Sequence, residues 1–308
     1  MGKLAFIFPG QGAQYIGMGK DFYEEFETSR SIFNTASNIL DMDMKELIFE
    51  ENDRLNQTEY TQPAMVTTCM AILSQIKKLG YTPDIYAGLS LGEYVAVIGS
   101  GILDFSEAIQ VVKQRGILMD NAVPTGIGAM SAILGLNKEV VESVCESVQG
   151  IVGVANYNCP GQIVITGEKT AVSKASEKLM EQGAKRVLPL KVSGPFHSPM
   201  LKEAGDKLYE ILSKTPINTP EAGYISNVTA GLVTDTELIK ELLAKQVYSP
   251  VRFWQCVETM IEQGVDTFIE IGPGKTLSGF IKKIDKSLKV INIEKTGDLE
   301  KLKEIIPC

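Results

Sequence analysis

The run Ile85-Tyr86-Ala87-Gly88-Leu89-Ser90-Leu91-Gly92 leaves this chain few ways to fold. Ile85 to Gly88 reads as a short buried strand, and Tyr94, Val97 and Ile98 continue beyond it at helical spacing. Between them stands G-x-S-x-G, which turns a strand into a helix so sharply that a Cβ at either glycine would meet the neighbouring strand or helix. Such a turn lifts its serine to the top of a sheet at a helix N-terminus, where main-chain N–H groups can stabilise an oxyanion. A chance match is the competing reading in a chain with 28 glycines, and the flanking strand and helix count against it.

The same alternation recurs along the chain. Leu4 to Phe8 is a continuous apolar run closed by Pro9-Gly10, the pattern of a strand buried on both faces. Ala64 to Lys77 carries Met65, Cys69, Ile72 and Ile76 at helical spacing, and Thr267 to Ile271 is a further strand. Together these predict an α/β fold with a mostly parallel sheet. Residues 126 to 193 follow another rule: strand Ala129–Leu134, helix Lys138–Gln149, strands Ile151–Ala155 and Gln162–Thr166, helix Ala171–Gln182, strand Lys185–Val192. The two middle strands are joined by a turn carrying Asn158, Pro160 and Gly161. This βαββαβ order is ferredoxin-like. It predicts a small domain at 125–194 inserted into a large one formed by 1–124 and 195–308, with the active site in the cleft between them.

Composition removes several functions. The 308 residues suffice for a large α/β domain with or without a small one, and at 44% hydrophobic and 22% charged the balance is that of a globular protein. No apolar run reaches the roughly 18 residues of a membrane span, and the N-terminus lacks a secretory pattern, so a cytoplasmic location is expected. A net charge of −8 argues against nucleic acid as a partner. The five cysteines (Cys69, Cys145, Cys159, Cys256, Cys308) are scattered without a C-x-x-C pair, which argues against disulfides, a structural zinc or another metal site.

A serine hydroxyl needs a base, most often imidazole, because its pKa lies near neutrality. The chain has one histidine, His197, in a loop between Pro195 and Pro199. A structural, hydrogen-bonded histidine is the alternative, and no acid between Ser90 and His197 stands out as a third partner. Gly10-Gln11-Gly12-Ala13-Gln14 follows a buried strand but lacks the dinucleotide fingerprint, since Tyr15 replaces its last glycine; it could supply an oxyanion N–H instead. Gly274-Lys275-Thr276 fails as a phosphate loop because Ile269 stands where glycine is required. Arg115 sits among Val111, Val112, Ile117 and Leu118, a setting that suits either a structural ion pair or bidentate capture of a substrate carboxylate.

Taken together, Phe8-Pro9-Gly10-Gln11-Gly12, Thr61-Gln62-Pro63-Ala64, Gly88-Leu89-Ser90-Leu91-Gly92-Glu93, Gln114-Arg115-Gly116, Ala155-Asn156-Tyr157-Asn158, Gly194-Pro195-Phe196-His197 and Glu270-Ile271-Gly272-Pro273-Gly274 resemble the malonyl-CoA:acyl carrier protein transacylase family over essentially the whole chain. The resemblance implies an α/β-hydrolase-like large domain with an inserted ferredoxin-like one. It implies that Ser90 is acylated, that His197 is general base and acid, and that Arg115 pairs with the malonyl carboxylate. It further implies an oxyanion hole from the main-chain N–H groups of Gln11 and Leu91, and a main-chain carbonyl at Gln246 that orients His197. Gln62 and Asn156 would line the substrate pocket, and Phe196 matches the malonyl-selecting form of its loop. Leu89 departs from the histidine that most members carry there.

The activity implied is ping-pong transfer of malonyl from malonyl-CoA to the phosphopantetheine thiol of acyl carrier protein, with no tightly bound cofactor, supplying fatty acid synthesis. Supply of a polyketide synthase, a serine thioesterase or hydrolase, and a non-catalytic acyl-binding module are the alternatives. Docking of an acidic carrier protein would need a local basic patch, for which Lys282, Lys283 and Lys286, or Lys185-Arg186, are candidates.

Overall fold

In the computed structural model, which describes residues 2–305, the apolar run near the N-terminus is buried on both faces, with Ala5 to Phe8 fully out of solvent. Strands β1 (Lys3–Phe8), β2 (Ile85–Gly88), β3 (Gly128–Leu134), β4 (Val152–Cys159), β5 (Gln162–Glu168), β6 (Arg186–Pro189), β7 (Gly223–Tyr224), β8 (Val265–Ile271) and β9 (Lys289–Ile293) form two sheets. The larger has the order β7-β2-β1-β8-β9 and every pair in it is parallel. Period-two alternation sends Leu4, Phe6 and Phe8 into one core, with Cys69, Ile72 and Val112, and Ala5 and Ile7 into another, with Phe253 and Phe280. Burial on both faces is why these strands read as continuous apolar runs.

Element boundaries differ from expectation where packing outweighs local signals. The helix expected from Ala64 spans Thr58–Lys78 and carries Pro63 inside it. Proline removes one helical N–H and strains one turn; the first turn is held regardless by Thr61, whose Oγ1 donates to Leu55 O at 2.6 Å. Helix Phe105–Asn121 extends the predicted Ala108–Met119 at both ends.

The smaller sheet is antiparallel with order β4-β5-β3-β6, and helices Lys138–Glu146 and Lys169–Glu181 pack against it around Ile133, Val141, Ile163 and Leu179. Asn158 lies inside β4, so the reversal is made by Pro160-Gly161 alone, with Gly161 at φ 73°. The last strand is shorter than Lys185–Val192 and sits at the sheet edge. Register shifts on either side of Asn156 mark bulges in β4. There Tyr157 N donates to Val251 O at 2.9 Å and Val251 N donates to Ala155 O at 2.8 Å, joining the small sheet to the segment that leads into helix Phe253–Glu262.

Cys69, Cys145, Cys159 and Cys256 are buried free thiols; Cys308 lies outside the described residues. Among the described residues no helix is long and apolar enough to cross a membrane, and no group of three His, Cys, Asp or Glu side chains is placed to hold a metal ion.

Candidate active site

The turn after β2 admits only glycine at its two flanks. A Cβ on Gly88 would lie 2.0 Å from the carbonyl carbon of Gly92, and one on Gly92 would lie 2.1 Å from Phe8 O. Ser90 between them has φ 52°, a left-handed conformation that costs a non-glycine residue energy and persists only where its surroundings enforce it. Asn227 enforces it. Its Oδ1 accepts from Ser90 N at 2.7 Å and its Nδ2 donates to Gly88 O at 2.7 Å, so one side chain grips both sides of the turn.

His197 is also left-handed, at φ 60°, with its N–H donating to Val247 O at 3.1 Å. Its Nε2 lies 2.7 Å from Ser90 Oγ, and its Nδ1 lies 2.8 Å from the main-chain oxygen of Gln246. A carbonyl only accepts, so Nδ1 carries the proton and Nε2 is the bare acceptor that faces the hydroxyl. Burial, aided by the nearby Arg115 cation, pushes the imidazole down to about 4. The ring is therefore neutral at physiological pH, the state a base requires.

Arg115 projects from helix Phe105–Asn121 and is 1% exposed. One terminal nitrogen donates to Gln246 Oε1 at 2.8 Å and reaches Ser90 Oγ at 3.4 Å; its Nε has no partner, and no carboxylate pairs with it directly among the described residues. The guanidinium lies 5.3 Å from the Tyr94 ring centroid. Burial draws its pKa down from that of free arginine, but a guanidinium stays protonated at any working pH.

These groups open onto a cavity of about 310 Å³ between the two sheets, lined by Gln11, Gln62, Ser90, Leu91, Arg115, Asn156, Phe196 and His197 among others. Met130, Ala132 and Val164 of the small sheet form the facing wall. The main-chain N–H groups of Gln11 and Leu91 have no hydrogen-bond partner among the described residues, and both residues border the cavity beside Ser90. Gln11, Gln62, Ser90, Leu91, Arg115, Asn156, Phe196 and His197 thus border one cavity, with Gln246 behind it rather than lining it.

The acyl transferase domain family matches residues 5–301. The malonyl CoA-acyl carrier protein transacylase of Bacillus subtilis is 47% identical over 304 residues, covering 97% of this chain and 96% of that relative. The chain belongs to the malonyl-CoA:acyl carrier protein transacylase family. Solved structures of transacylase relatives superpose closely. The Clostridium perfringens malonyl CoA-acyl carrier protein transacylase has a TM-score of 0.95 at 49% identity, covering 98% of this chain and 96% of its own. A malonyl-transacylase in complex with a type II PKS acyl-carrier protein has a TM-score of 0.96 at 40% identity, covering 99% and 100%.

Within this transacylase framework, Tyr224 and Asn227 escaped the sequence reading, and Glu93 stood in a motif there without a role. Glu93, fully buried one turn after Ser90, accepts from Gln246 Nε2 at 2.5 Å, from Asn227 N at 3.1 Å and from the Tyr224 hydroxyl. A lone carboxylate in the apolar helix Gly92–Gly99 was its visible signal; Tyr224 and Asn227 come from far along the chain and had none. Burial pushes the Glu93 carboxyl up to about 7 against the pull of these donors. The rejected phosphate loop has a physical reason as well: Glu270 accepts from Leu277 N, Ser278 N and Ser278 Oγ at 2.6–3.0 Å, so a carboxylate already occupies that helix start. Gln62 is buried with its Nε2 3.6 Å from Met119 Sδ and its Oε1 unpartnered. Leu89 borders the cavity.

Proposed function

We propose that this transacylase moves the malonyl group of malonyl-CoA to the phosphopantetheine thiol of an acyl carrier protein by way of malonyl-Ser90, and that it does so in the cytoplasm in support of fatty acid synthesis. His197 Nε2 takes the Ser90 proton as Oγ attacks the thioester carbonyl. The carbonyl oxygen gains negative charge facing the free N–H groups of Gln11 and Leu91. The carbon–sulfur bond then breaks and His197 returns its proton to the CoA sulfur. The carrier thiol repeats the sequence in reverse, giving its proton to His197, attacking the ester and regenerating Ser90. The Gln246 carbonyl keeps the imidazole in one tautomer throughout. All the chemistry comes from side chains and main chain, with malonyl-CoA and carrier protein as substrates and no tightly bound cofactor.

Arg115 carries the acyl assignment. A buried guanidinium with an unused Nε and no carboxylate of its own, next to the serine oxygen, is built for an anion that comes with the substrate. Gln62, Asn156 and Phe196 bound the space that the malonyl group fills, and residues 125–194 act as an inserted domain that closes it. A thioesterase would share Ser90 and His197 but has no use for this arginine. The test is intact-protein mass spectrometry after mixing with malonyl-, methylmalonyl- and acetyl-CoA, followed by addition of holo carrier protein. A malonyl adduct on Ser90, discharged to the carrier thiol faster than to water, is the expected outcome; preferential hydrolysis, or no adduct, would overturn the reading.

A further inference from the structure

Gln246 is bound on every polar atom of its side chain, and each partner permits only one orientation. Its Nε2 donates to Ser90 O at 2.8 Å and to Glu93 Oε2 at 2.5 Å, while its Oε1 accepts from Arg115 at 2.8 Å. A main-chain carbonyl only accepts and a guanidinium only donates, so the amide cannot be turned over. Glu93 is itself gripped from the far side by the Tyr224 hydroxyl and by Asn227 N, the residue that clamps the serine turn. The carboxyl of Glu93 and the guanidinium of Arg115 are thus joined through one amide, both buried.

We infer that Glu93, acting through the Gln246 side chain, is the positioning residue that aims Arg115 at the acyl carboxylate and so sets acyl selectivity. The indirect pairing is what makes this work. A carboxylate placed directly on Arg115 would satisfy both arms of the fork and compete with the substrate. The interposed amide takes a single N–H, stabilises the buried cation at a distance, and leaves Nε and the other donors for an incoming anion. This deepens the malonyl-transfer reading and rests on it.

Glu93→Gln tests the inference with almost no change in shape. The new amide would keep its oxygen toward Tyr224 and Asn227 and would present N–H groups to Gln246 Nε2. Gln246, still fixed in orientation by Ser90 O and Arg115, would then face a donor where it now has an acceptor, and the link that steadies Arg115 would be strained. Two Ser90 reactions are compared by stopped time points and mass spectrometry: acylation by malonyl-CoA, which uses Arg115, and sulfonylation by phenylmethanesulfonyl fluoride, which carries no carboxylate. Malonylation is expected to fall about tenfold or more relative to sulfonylation, the scale of one lost hydrogen bond to a charged group. Gln246→Met, which removes the amide but keeps the length, should shift the ratio in the same direction and serves if Glu93→Gln fails to fold. Parallel losses in both reactions would make Glu93 purely structural and overturn the inference. An unmodified Ser90 in the wild-type protein after malonyl-CoA would instead overturn the underlying function.

Discussion

At the scale of single residues, three side chains carry separable consequences. Ser90→Ala should abolish the malonyl adduct, because it removes the hydroxyl that His197 Nε2 activates; intact mass after malonyl-CoA reads this directly. His197 offers a sharper test through pH. An ordinary histidine would give acylation a rising limb near pH 6–7. The buried imidazole, held down to about 4 by burial and Arg115, is already neutral there. Sulfonylation of Ser90 by phenylmethanesulfonyl fluoride, which does not use Arg115, should therefore show no limb from this imidazole between pH 5.5 and 7.5 and fall only in more acidic buffer. The same shift acts on stability. Between pH 6.5 and 4 the unfolded chain binds a proton that the folded one refuses, so this histidine favours folding above that window and the benefit is lost as pH falls through it. Arg115→Ala should lower malonyl acylation by about 10²–10³-fold, the scale of a broken buried ion pair, and leave acetyl acylation unchanged or faster. Arg115→Lys should restore little, since an ammonium lacks the planar fork. Equal losses with malonyl- and acetyl-CoA would place the selectivity elsewhere.

At the scale of elements, the strand–turn–helix around Ser90 behaves as one piece. Gly88→Ala would put a methyl 2.0 Å from a main-chain carbon, a clash that no rotamer relieves, so the variant should lose several degrees of melting temperature and all acylation. Circular dichroism melts and the adduct assay check both. This element was legible in the sequence because its constraint is local: a sharp turn leaves glycines, a buried parallel strand leaves an apolar run, and both survive without knowledge of the partners. The helix from Thr58 was not fully legible, since Pro63 reads as a start and only the surrounding core shows that the chain coils before it. The convergence of Ser90, His197, Arg115 and Gln246 was legible through the family motifs rather than through periodicity. The support behind it was not. Asn227 and Tyr224 meet the site from more than a hundred positions away, and a contact of that kind leaves no local pattern.

At the scale of the whole molecule, an acidic protein must receive an acidic carrier. Lys185 and Arg186 are exposed beside and within the edge strand β6, where Leu188 and Leu190 are also exposed and Leu190 borders the cavity. Lys282, by contrast, spends its ammonium on Leu288 O and Lys286 O. Charge reversal at Lys185 and Arg186 together should raise KM for carrier protein several-fold and spare KM for malonyl-CoA; steady-state kinetics with each substrate varied in turn decides it. The pair of main-chain hydrogen bonds between β4 and Val251 bears on what can enter. It ties the small sheet, which forms one wall of the cavity, to the segment ahead of helix Phe253–Glu262, and the space left beside Ser90 is about 310 Å³. A nucleotide and a folded protein have nothing in common in size, but both present their cargo on the same slender pantetheine tether. A space of that size takes an acyl group on the end of the arm and leaves either body standing outside.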